Sequence, residues 1–456
     1  MHVPRIVLAG THSGVGKTTL ATGLMATLKR RGRPVQGYKV GPDYIDPSHH
    51  AAVTGRPSRN LDRWLLGDSL TPVFTQSAEG QWAVIEGVMG MYDGMSGTAG
   101  FGSTADIAKL LTSPVILIVD ATGMGRSVAA LVYGYAHFDP DVMIAGVILN
   151  RVKSLGQENM MREALQEIDL PVVGILPYGQ NLKLPERHLG LIPAGEEALR
   201  KEYISDLVGL IDSNIDLALI EQIMLQAPEY EPRQVGWVDD NQFSYMVSKP
   251  VRIGLAWDEA FLFYYRDALD AAVNYGFDFV PFSPLHDAEL PAGLDSLFIG
   301  GGFPELHLQT LSANVAMHES IRAFARSGKP VYAECGGYMY LGDSITDFAG
   351  QTYPLTGVVP AQAEMTTRLQ GLGYRRGIFC QDNFLGPSGT EVHGHEFHYS
   401  RVAGQGQAKP AYQLFRGKHH DKQDGYAYGN IMASYLHLHF AGHPELLQHW
   451  AEFIHC

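Results

Sequence analysis

Short apolar runs alternate with helical stretches along most of this 456-residue chain, and this alternation constrains the fold more than any other feature. In the first half the runs are RIVLAG (5–10), AVIE (83–86), PVILIVD (114–120), IAGVILN (144–150) and PVVGIL (171–176). Strands that are apolar throughout and separated by helices are typical of a parallel sheet covered on both faces. The pattern therefore predicts an α/β fold.

A change of character near the middle divides the chain into three parts. The segment after residue 195 begins as an amphipathic helix and then loses its periodicity in a polar, proline-bearing stretch, which is typical of a linker. A second series of apolar strands follows in PVRIGLAW (250–257), SLFIGGGFPE (296–305) and KPVYAECGG (329–337). The predicted parts are a first domain over 1–195, a helical segment and linker over 196–248, and a second α/β domain over 249–456.

Composition narrows the class of protein. With 45% hydrophobic and 18% charged residues, the chain is globular rather than disordered, and no apolar run approaches the roughly 20 residues of a membrane span. A net charge of −14 argues against nucleic acid as a partner, because phosphate contacts need a basic surface. Three scattered cysteines do not form a disulfide framework. We therefore expect a cytoplasmic protein that binds neither nucleic acid nor membrane.

A glycine-rich turn, GTHSGVGKTT (10–19), joins the first strand to a helix. In this setting the backbone N–H groups of the turn converge on phosphate oxygens, Lys17 reaches the β- and γ-phosphates of ATP, and the Thr18 hydroxyl binds Mg²⁺. Gly10 lies one residue further from Gly16 than the usual G-x-x-x-x-G-K-T spacing requires, and the alternative is a chance strand–helix turn. The predicted ATP-binding residues are Gly14, Gly16, Lys17, Thr18 and Thr19, with Asn150, which ends a later strand, as a contact to the base.

Phosphoryl transfer needs carboxylates for the metal, and two acidic segments follow predicted strands. KVGPDYID (39–46) supplies two aspartates, and Glu86 ends the strand AVIE. Ligands bind at the carboxyl edge of an open parallel sheet, so the glycine-rich turn, this loop and Glu86 are expected to converge there. The alternative for the aspartates is a solvated Asp-Pro turn, and Asp93 is left as either a ligand or a turn residue. The predicted Mg²⁺ ligands are Thr18, Asp43, Asp46 and Glu86.

A second site is indicated by Cys335, which lies between a strand and a predicted helix in AECGGYMYL. Small residues on either side permit the tight turn of a nucleophile elbow, and a helix N-terminus lowers the pKa of a thiol. The preceding segment IGGGFP (299–304) can offer backbone N–H groups to an oxyanion. Cys380 and Cys456 have no such setting, and we expect them to be inert.

A nucleophilic cysteine needs a base, and the segment ASYLHLHFAGHPE holds three candidates. His437 and His439 would share one side of a strand, so periodicity does not separate them. His443 is followed two residues later by Glu445, which could orient its ring. A further histidine group in VHGHEFHYS lacks a convincing metal-ligand spacing, and we expect no metal there.

Nine motifs carry a resemblance to a known family: KVGPDYID, SRNLD, VIEGVMGMYDG, LPERHLGL, DEAFLFYY, IGGGFPE, AECGGYMYL, GHEFHYS and ASYLHLHF. Through them the chain resembles the cobyrinic acid a,c-diamide synthases over nearly its whole length. The resemblance implies a P-loop parallel-sheet domain similar to dethiobiotin synthetase, followed by a class I glutamine amidotransferase-like α/β domain. It also implies amidation of the a and c acetate carboxylates of cobyrinic acid through acyl phosphates, with ATP, L-glutamine and Mg²⁺.

Several residue roles follow from these motifs by resemblance. Cys335 matches the family nucleophile, and His437 matches the histidine that activates it. The resemblance thus selects His437 from the three candidate bases. No carboxylate is assigned as the third member of the catalytic triad. Lys39 and Asp46 match the synthetase-site motifs as catalytic residues. The oxyanion donors implied are the backbone N–H groups of Gly301, Gly302 and Gly336.

The substrate implied by the resemblance is a tetrapyrrole polycarboxylate, whereas the chain is acidic overall. Arginines at 56, 59, 63 and 187 are the nearest basic cluster, and the alternative is that they are ordinary solvent-facing side chains. The predicted substrate contacts are Tyr44, Arg59 and Arg187. Hydrogenobyrinic acid and nickel sirohydrochlorin are alternative substrates, and a nucleotide switch with a degenerate amidotransferase domain is the alternative of another class. The oligomeric state is left open, with a homodimer among the alternatives.

Overall fold

The structure of the chain is a computed structural model that describes residues 2–179, the backbone of 186–187 and 190–191, and residues 201–230, 249–404 and 408–455. Its internal contacts divide the chain into two units, one of Met1–Arg63 with Gly67–Val235 and the other of Trp64–Leu66 with Gly236–Cys456. Both units combine strands and helices, so the predicted α/β class is confirmed.

A seven-stranded parallel sheet forms the centre of the first unit. Its strands are β1 (Arg5–Gly10), β2 (Val35–Val40), β3 (Arg59–Leu61), β4 (Trp82–Glu86), β5 (Val115–Asp120), β6 (Ile144–Val152) and β7 (Val172–Pro177). They lie in the order β3-β2-β4-β1-β5-β6-β7, and every pair is parallel. Strands β1, β2 and β4 are buried along their whole length. The apolar runs of β1 and β4 predict this burial, whereas β2 (VQGYKV) is buried although it contains Gln36 and Lys39. The short strands β8 (Glu186–Arg187) and β9 (Gly190–Leu191) form a separate antiparallel pair.

Helices connect or follow these strands, and three of them begin at a side-chain cap. They are α1 (Lys17–Arg30), α2 (Asp46–Thr54), α3 (Arg63–Leu66), α4 (Leu70–Ala78), α5 (Thr104–Leu110), α6 (Ser127–Phe138), α7 (Leu155–Gln166), α8 (Lys201–Asn214) and α9 (Leu217–Leu225). The side chains of Ser103, Ser154 and Asp216 accept backbone N–H bonds at the starts of α5, α7 and α9. The first helix instead starts from Gly16 in a left-handed conformation, so its N–H groups have no side-chain cap.

The amphipathic helix predicted after residue 195 corresponds to α8, which packs into the core of the first unit. Its apolar residues Val208 and Ile211 share that core with Leu24 of α1. The two helices approach closely at Gly23, where a Cβ atom would lie 2.8 Å from Ile211 Cγ1. Residues 231–248, within the predicted linker, lie outside the described residues, and the domain limits remain a prediction.

Strand β1 begins with a buried arginine that the apolar pattern does not anticipate. The Arg5 guanidinium donates to the carbonyl oxygens of Val3, Leu111, Thr112 and Pro228 at 2.7 to 3.1 Å. Burial lowers its pKa to about 10. Because Pro228 follows α9, the last helix of this unit in the described ranges, the Arg5 side chain connects the first strand of the unit to the segment after α9.

The second unit has fifteen strands among its described residues. They are β10 (Val251–Ala256), β11 (Phe277–Phe282), β12 (Ser296–Ile299), β13 (Val331–Glu334), β14 (Ser344–Thr346), β15 (Thr352–Pro354), β16 (Gln362–Met365), β17 (Gly371–Phe379), β18 (Glu391–His398), β19 (Ser400–Ala403), β20 (Tyr412–Arg416), β21 (His419–Asp424), β22 (Tyr426–Tyr428), β23 (Ile431–Ser434) and β24 (His437–Leu438). Its helices are α10 (Arg266–Asn274), α11 (Leu308–Ala313), α12 (Val315–Arg326), α13 (Gly336–Leu341) and α14 (Pro444–His455). The central sheet has the order β11-β10-β12-β13-β23-β22 and is parallel except for its last pair.

Two further sheets of this unit were not anticipated from the strand–helix alternation. One has the order β15-β14-β16-β19 and the other the order β21-β20-β17-β18-β24, whose pairs are all antiparallel. Their strands carry glycines and charged residues, as in GLGYRRGIF (371–379), and therefore lack the apolar runs of the parallel sheets. No helix in the described part of the chain is long and apolar enough to cross a membrane.

Replacing Arg5 by alanine is expected to destabilise the first unit, because four buried carbonyl oxygens lose a charged donor. The expected loss is about 3 kcal/mol, which corresponds to a fall of about 6 °C or more in the thermal midpoint of that unit. Differential scanning calorimetry measures the change. The control is Arg126→Ala, since the exposed ion pair of Arg126 with Glu167 contributes less than about 1 kcal/mol. Equal shifts for both variants would contradict the role given to Arg5.

Candidate active sites

The carboxyl edge of the first sheet brings together three segments that lie apart in sequence. Strand β1 leads into the glycine-rich turn, β2 into the loop before α2, and β4 ends at Glu86, and these strands are neighbours in the order β2-β4-β1. The register places Glu86 opposite both Lys39 and Leu8. The parallel topology thus produces the convergence that was expected at this edge.

Lys39, Asp46 and Glu86 form a buried ionic cluster beside the first turn of α1. The Lys39 ammonium lies 2.5 Å from Asp46 Oδ2 and 2.9 Å from Glu86 Oε1. The Thr18 hydroxyl donates to the same Glu86 oxygen at 2.6 Å and lies 3.3 Å from Asp46 Oδ2. Four of the residues singled out from sequence therefore lie within hydrogen-bonding distance of one another.

The protonation states of this cluster follow from burial and charge. Burial lowers the pKa of Lys39, but Asp46 and Glu86 outweigh it and raise that pKa, so the lysine stays protonated. Burial raises the pKa of Glu86, but Lys39 and His50 hold it well below its usual range. Burial, Asp43 and Glu86 together raise the pKa of Asp46 above its ordinary value. Negative charge is therefore crowded at this edge of the sheet.

Asp43 holds the loop that carries Asp46. Its Oδ1 accepts the backbone N–H bonds of Ile45 and Asp46 at 2.7 and 3.1 Å, where α2 begins. Asn60 of β3 braces the same loop, because its amide donates to the carbonyl oxygens of Gly41 and Asp43 at 2.9 and 2.7 Å. One carboxylate oxygen of this predicted metal ligand is thus engaged in shaping the loop.

His50 is a member of the cluster that the sequence reasoning missed. Its Nε2 lies 2.7 Å from Glu86 Oε2, and its Nδ1 lies 3.1 Å from Ser58 Oγ, which in turn donates to the carbonyl of Gly37. His50 follows Asp46 by four residues, so both lie on one face of α2. That spacing is the signal from which His50 could have been found.

The glycine-rich turn is braced by the end of β6. Gly16 has φ of 101°, and a Cβ atom there would lie 2.6 Å from Asn150 Nδ2. The Asn150 amide donates to the carbonyl of Val15 at 2.8 Å, and Arg151 donates to the carbonyl of Gly14 at 2.8 Å. Asn150, predicted to contact the base, therefore also supports the turn itself.

Lys17 lies between this turn and the segment after β4. Its ammonium donates to the carbonyl of Met89 at 2.6 Å. Burial lowers its pKa to about 8, with a further contribution from the positive charge of Lys39. Asp93 accepts the N–H of Gly90 at 2.9 Å and so stabilises the turn next to Met89. An anion bound at the glycine-rich turn would favour the charged form of this lysine.

The remaining residues predicted for this site are dispersed around it. Thr19 lies half-buried in the first turn of α1, and Tyr44 is half-buried in the loop before α2. Arg59 opens β3 and lies opposite Tyr38 in the register. The side chain of Arg187 lies outside the described residues.

Cys335 occupies a strained turn between β13 and α13. Its φ and ψ are 49° and −106°, a backbone conformation that residues other than glycine rarely adopt. Such a conformation is typical of a nucleophile elbow. At Gly337 a Cβ atom would lie 2.1 Å from the carbonyl oxygen of Ile299, so only glycine fits. Cys380 is half-buried, and burial raises the pKa of its thiol. Cys456 lies outside the described residues.

His437 is the histidine that contacts Cys335. Its buried imidazole hydrogen-bonds the Cys335 side chain, and its Nδ1 lies 3.3 Å from Glu334 Oε2. Burial lowers the pKa of His437, but Cys335 and Glu334 outweigh it and raise that pKa to about 10. Glu334, which directly precedes Cys335, was not considered in the sequence reasoning.

The other two candidate bases have different surroundings. The sequence analysis placed His437 and His439 on one strand, but that strand ends at Leu438. The two histidines therefore do not share a strand face. His439 is buried against Tyr265, with ring centroids 4.7 Å apart, and burial lowers its pKa to about 3. His443 lies 3.1 Å from Glu445.

The glycines predicted as oxyanion donors line the same pocket. At Gly301 a Cβ atom would lie 2.6 Å from His437 Cε1 and 3.5 Å from Cys335 Cβ. At Gly336 a Cβ atom would lie 3.1 Å from the backbone nitrogen of Gly302. The absence of side chains therefore allows this backbone to approach the cysteine closely.

Comparisons with known proteins agree with this two-site organisation. Residues 6–192 match the CobQ/CobB/MinD/ParA nucleotide binding domain, an ATP-using type, and residues 252–445 match the CobB/CobQ-like glutamine amidotransferase domain. A relative from Dehalococcoides mccartyi is 43% identical, with 99% of this chain and 98% of the relative covered. One from Methanothermobacter thermautotrophicus is 42% identical, with 97% of both chains covered, and one from Priestia megaterium is 41% identical, with 98% and 96% covered.

All three relatives are named cobyrinate a,c-diamide synthase. The aligned region covers both matched domains and the segment between them. The similarity therefore extends over the whole chain and is not restricted to one domain. The chain belongs to the cobyrinate a,c-diamide synthase family.

Proposed function

We propose that this protein amidates the a and c acetate carboxylates of cobyrinic acid, with ATP as the energy source and L-glutamine as the nitrogen donor. The observation that carries the proposal is the presence, in one chain, of a Cys335–His437 pair and of an ionic cluster beside a phosphate-binding turn. The names of the full-length relatives supply the tetrapyrrole substrate.

The glutamine half of the reaction uses Cys335 and His437. The Cys335 thiolate attacks the carboxamide carbon of glutamine, and protonated His437 gives its proton to the departing nitrogen, which leaves as ammonia. A glutamyl thioester remains on the sulfur. Water then attacks this thioester, His437 takes up a proton, and glutamate leaves, which restores the thiolate and the protonated imidazole.

Backbone N–H groups stabilise the negative charge that develops on the carboxamide oxygen. We assign this role to Gly302 and Gly336, with Gly301 giving room for the substrate between them and His437. Gly336 opens α13, so its N–H belongs to the unpaired set at a helix start. Tyr264 holds the loop before these glycines, since its hydroxyl accepts the N–H of Gly300 at 2.8 Å.

The ATP half of the reaction uses the edge of the first sheet. Lys17 and the backbone of the glycine-rich turn bind the phosphates, and Lys39 neutralises charge on the transferred group. A corrin carboxylate oxygen attacks the γ-phosphorus, ADP leaves, and an acyl phosphate forms. Ammonia then attacks the acyl carbon, so a C–N bond forms, inorganic phosphate leaves and an amide remains.

Residues of the ionic cluster fit a magnesium ion. The Thr18 hydroxyl lies 3.3 Å from an Asp46 carboxylate oxygen and 2.6 Å from a Glu86 carboxylate oxygen, and hard oxygen donors are those that Mg²⁺ prefers. No group of three or more His, Cys, Asp or Glu side chains in the described ranges is placed to hold a metal ion by itself. A complete cage is not required, because Mg²⁺ keeps several waters and binds phosphates as well. A magnesium ion held by Thr18, Asp46 and Glu86 would neutralise charge on the phosphates of ATP.

Cys335→Ala is expected to abolish glutamine-dependent amidation and to leave ammonia-dependent amidation intact, because only the glutamine half loses its nucleophile. Glutamate, phosphate and amidated corrin are measured with Mg²⁺–ATP, with and without cobyrinic acid. The control is Cys380→Ala, which is expected to behave like wild type. Loss of both activities in Cys335→Ala would contradict the two-site proposal.

The same assay on wild-type protein, with each tetrapyrrole added in turn, identifies the substrate. Stimulation of phosphate and glutamate release by cobyrinic acid supports the proposal. Stimulation only by hydrogenobyrinic acid or nickel sirohydrochlorin would keep the chemistry and replace the substrate. No stimulation by any of them would contradict the enzyme assignment and favour a nucleotide switch.

His50→Ala is expected to lower kcat for ammonia-dependent amidation by about 10- to 100-fold, because Glu86 loses the group that holds its Oε2. Glutaminase activity is measured in parallel and is expected to stay unchanged. His50→Gln serves as the matched variant, since a side-chain amide can still donate to the carboxylate. An equal fall in glutaminase activity would show general misfolding instead.

Arg59→Ala is expected to raise the KM for the corrin substrate by about tenfold, because a carboxylate loses a charged donor. The KM for ATP and the glutaminase activity are expected to stay near wild type. Steady-state kinetics with varied cobyrinic acid measure the effect, and Arg162→Ala, in an exposed pair with Glu158, is the control. An unchanged KM in Arg59→Ala would remove this residue from the substrate site.

A further inference from the structure

Glu334 is a buried carboxylate placed immediately before the nucleophile. It ends β13, is 2% exposed, and directs Oε2 to within 3.3 Å of His437 Nδ1. Because Glu334 lies at Nδ1, the other ring nitrogen, Nε2, is the one available to the Cys335 sulfur. The three side chains therefore form a line from carboxylate to imidazole to thiol.

The carboxylate is held in this orientation by two donors on its other oxygen. Oε1 accepts the backbone N–H of Leu438 at 3.0 Å and the Tyr332 hydroxyl at 2.7 Å. Tyr332 is itself fully buried. Both donors act on Oε1, so Oε2 is left to face the imidazole.

Charge balance also connects Glu334 to His437. A buried carboxylate is costly unless a positive group or several hydrogen bonds compensate it. Among the residues that the structure describes, His437 is the one basic side chain within 4 Å of this carboxylate. Each member of the Glu334–His437 pair therefore stabilises the charged form of the other in the protein interior.

The sequence offers another carboxylate near this histidine cluster, Glu445, but it serves a different residue. Glu445 lies 3.1 Å from Nδ1 of His443, and Nε2 of the same ring accepts the backbone N–H of His393 at 2.9 Å. Both nitrogens of His443 are therefore occupied by partners other than the nucleophile. Glu445 is also half-exposed, whereas Glu334 is enclosed.

We infer that Glu334 is the positioning residue of the glutamine site, a third member that fixes the ring of His437 with its proton on Nδ1 and stabilises its charged form beside the Cys335 thiolate. This inference rests on the proposed glutaminase half-reaction. Glu334 does not touch the substrate, so it acts on the rate through His437 and not on glutamine binding.

The test is Glu334→Gln, with glutaminase kcat/KM measured from pH 6 to pH 11. The glutaminase kcat is expected to fall about 100-fold, while KM for glutamine and ammonia-dependent amidation stay unchanged. Removing the negative charge lowers the pKa of His437, so the alkaline limb of the profile is expected to move to lower pH by about one unit or more.

Three further variants separate a positioning role from a structural one. Glu334→Asp keeps the charge and is expected to restore part of the alkaline limb. Tyr332→Phe removes one donor from Oε1 and is expected to lower kcat by a few-fold, which tests the inference even if Glu334→Gln does not fold. Glu445→Gln is the matched control and is expected to leave kcat and the pH profile as in wild type.

The outcomes are distinguishable. A wild-type protein without glutaminase activity would defeat the proposed function itself. An active wild type whose Glu334→Gln variant keeps its kcat and pH profile would overturn only the inference about Glu334. Movement of the alkaline limb in Glu445→Gln but not in Glu334→Gln would transfer the role to Glu445.

Discussion

A carboxylate removed from water must find compensating charge or hydrogen bonds, because its desolvation costs several kcal/mol. Each half of this chain buries such a group at the end of an apolar parallel strand. Glu86 ends β4 and is compensated by Lys39, and Glu334 ends β13 beside His437. The groups proposed to react lie next to these pairs, so their geometry depends on how the pairs are held. The two sites thus share one physical arrangement although their chemistry differs.

Parallel topology explains why both pairs form where loops also gather. In a parallel sheet all carboxyl ends lie at one edge, so a residue at a strand end meets the turns that follow its neighbours. In the first unit this brings the glycine-rich turn to Glu86. In the second unit β12, β13 and β23 are neighbours, which places the glycines after β12 and His437 after β23 on either side of Cys335. The register of a few strands therefore positions each site.

Local patterns in the sequence were sufficient for most of the parallel strands, the glycine-rich turn and the elbow at Cys335, since each depends on residues that are close in sequence. Strands β3 and β11 were not predicted. The role of Arg5 was not predictable, because three of its four carbonyl partners lie more than one hundred residues away in sequence. The antiparallel sheets were missed because glycine-containing, charged strands have no apolar run. His50 and Glu334 could have been predicted as site residues from the sequence. The signal for His50 is its four-residue spacing from Asp46, and the signal for Glu334 is the cost of burying a carboxylate at the end of an apolar strand. The roles of the individual residues and the domain limits remain predictions.

The backbone conformation of Cys335 has a consequence for how this protein can change. Positive φ with a β-carbon costs about 1–3 kcal/mol of strain, and glycine at the same position would carry none of it. Selection for folding stability alone would therefore favour the loss of the cysteine. A cysteine at this position therefore keeps stability below the value that glycine would give, and in exchange it places a thiol at the tip of the turn. Libraries screened only for heat resistance would be expected to accumulate glycine at this position.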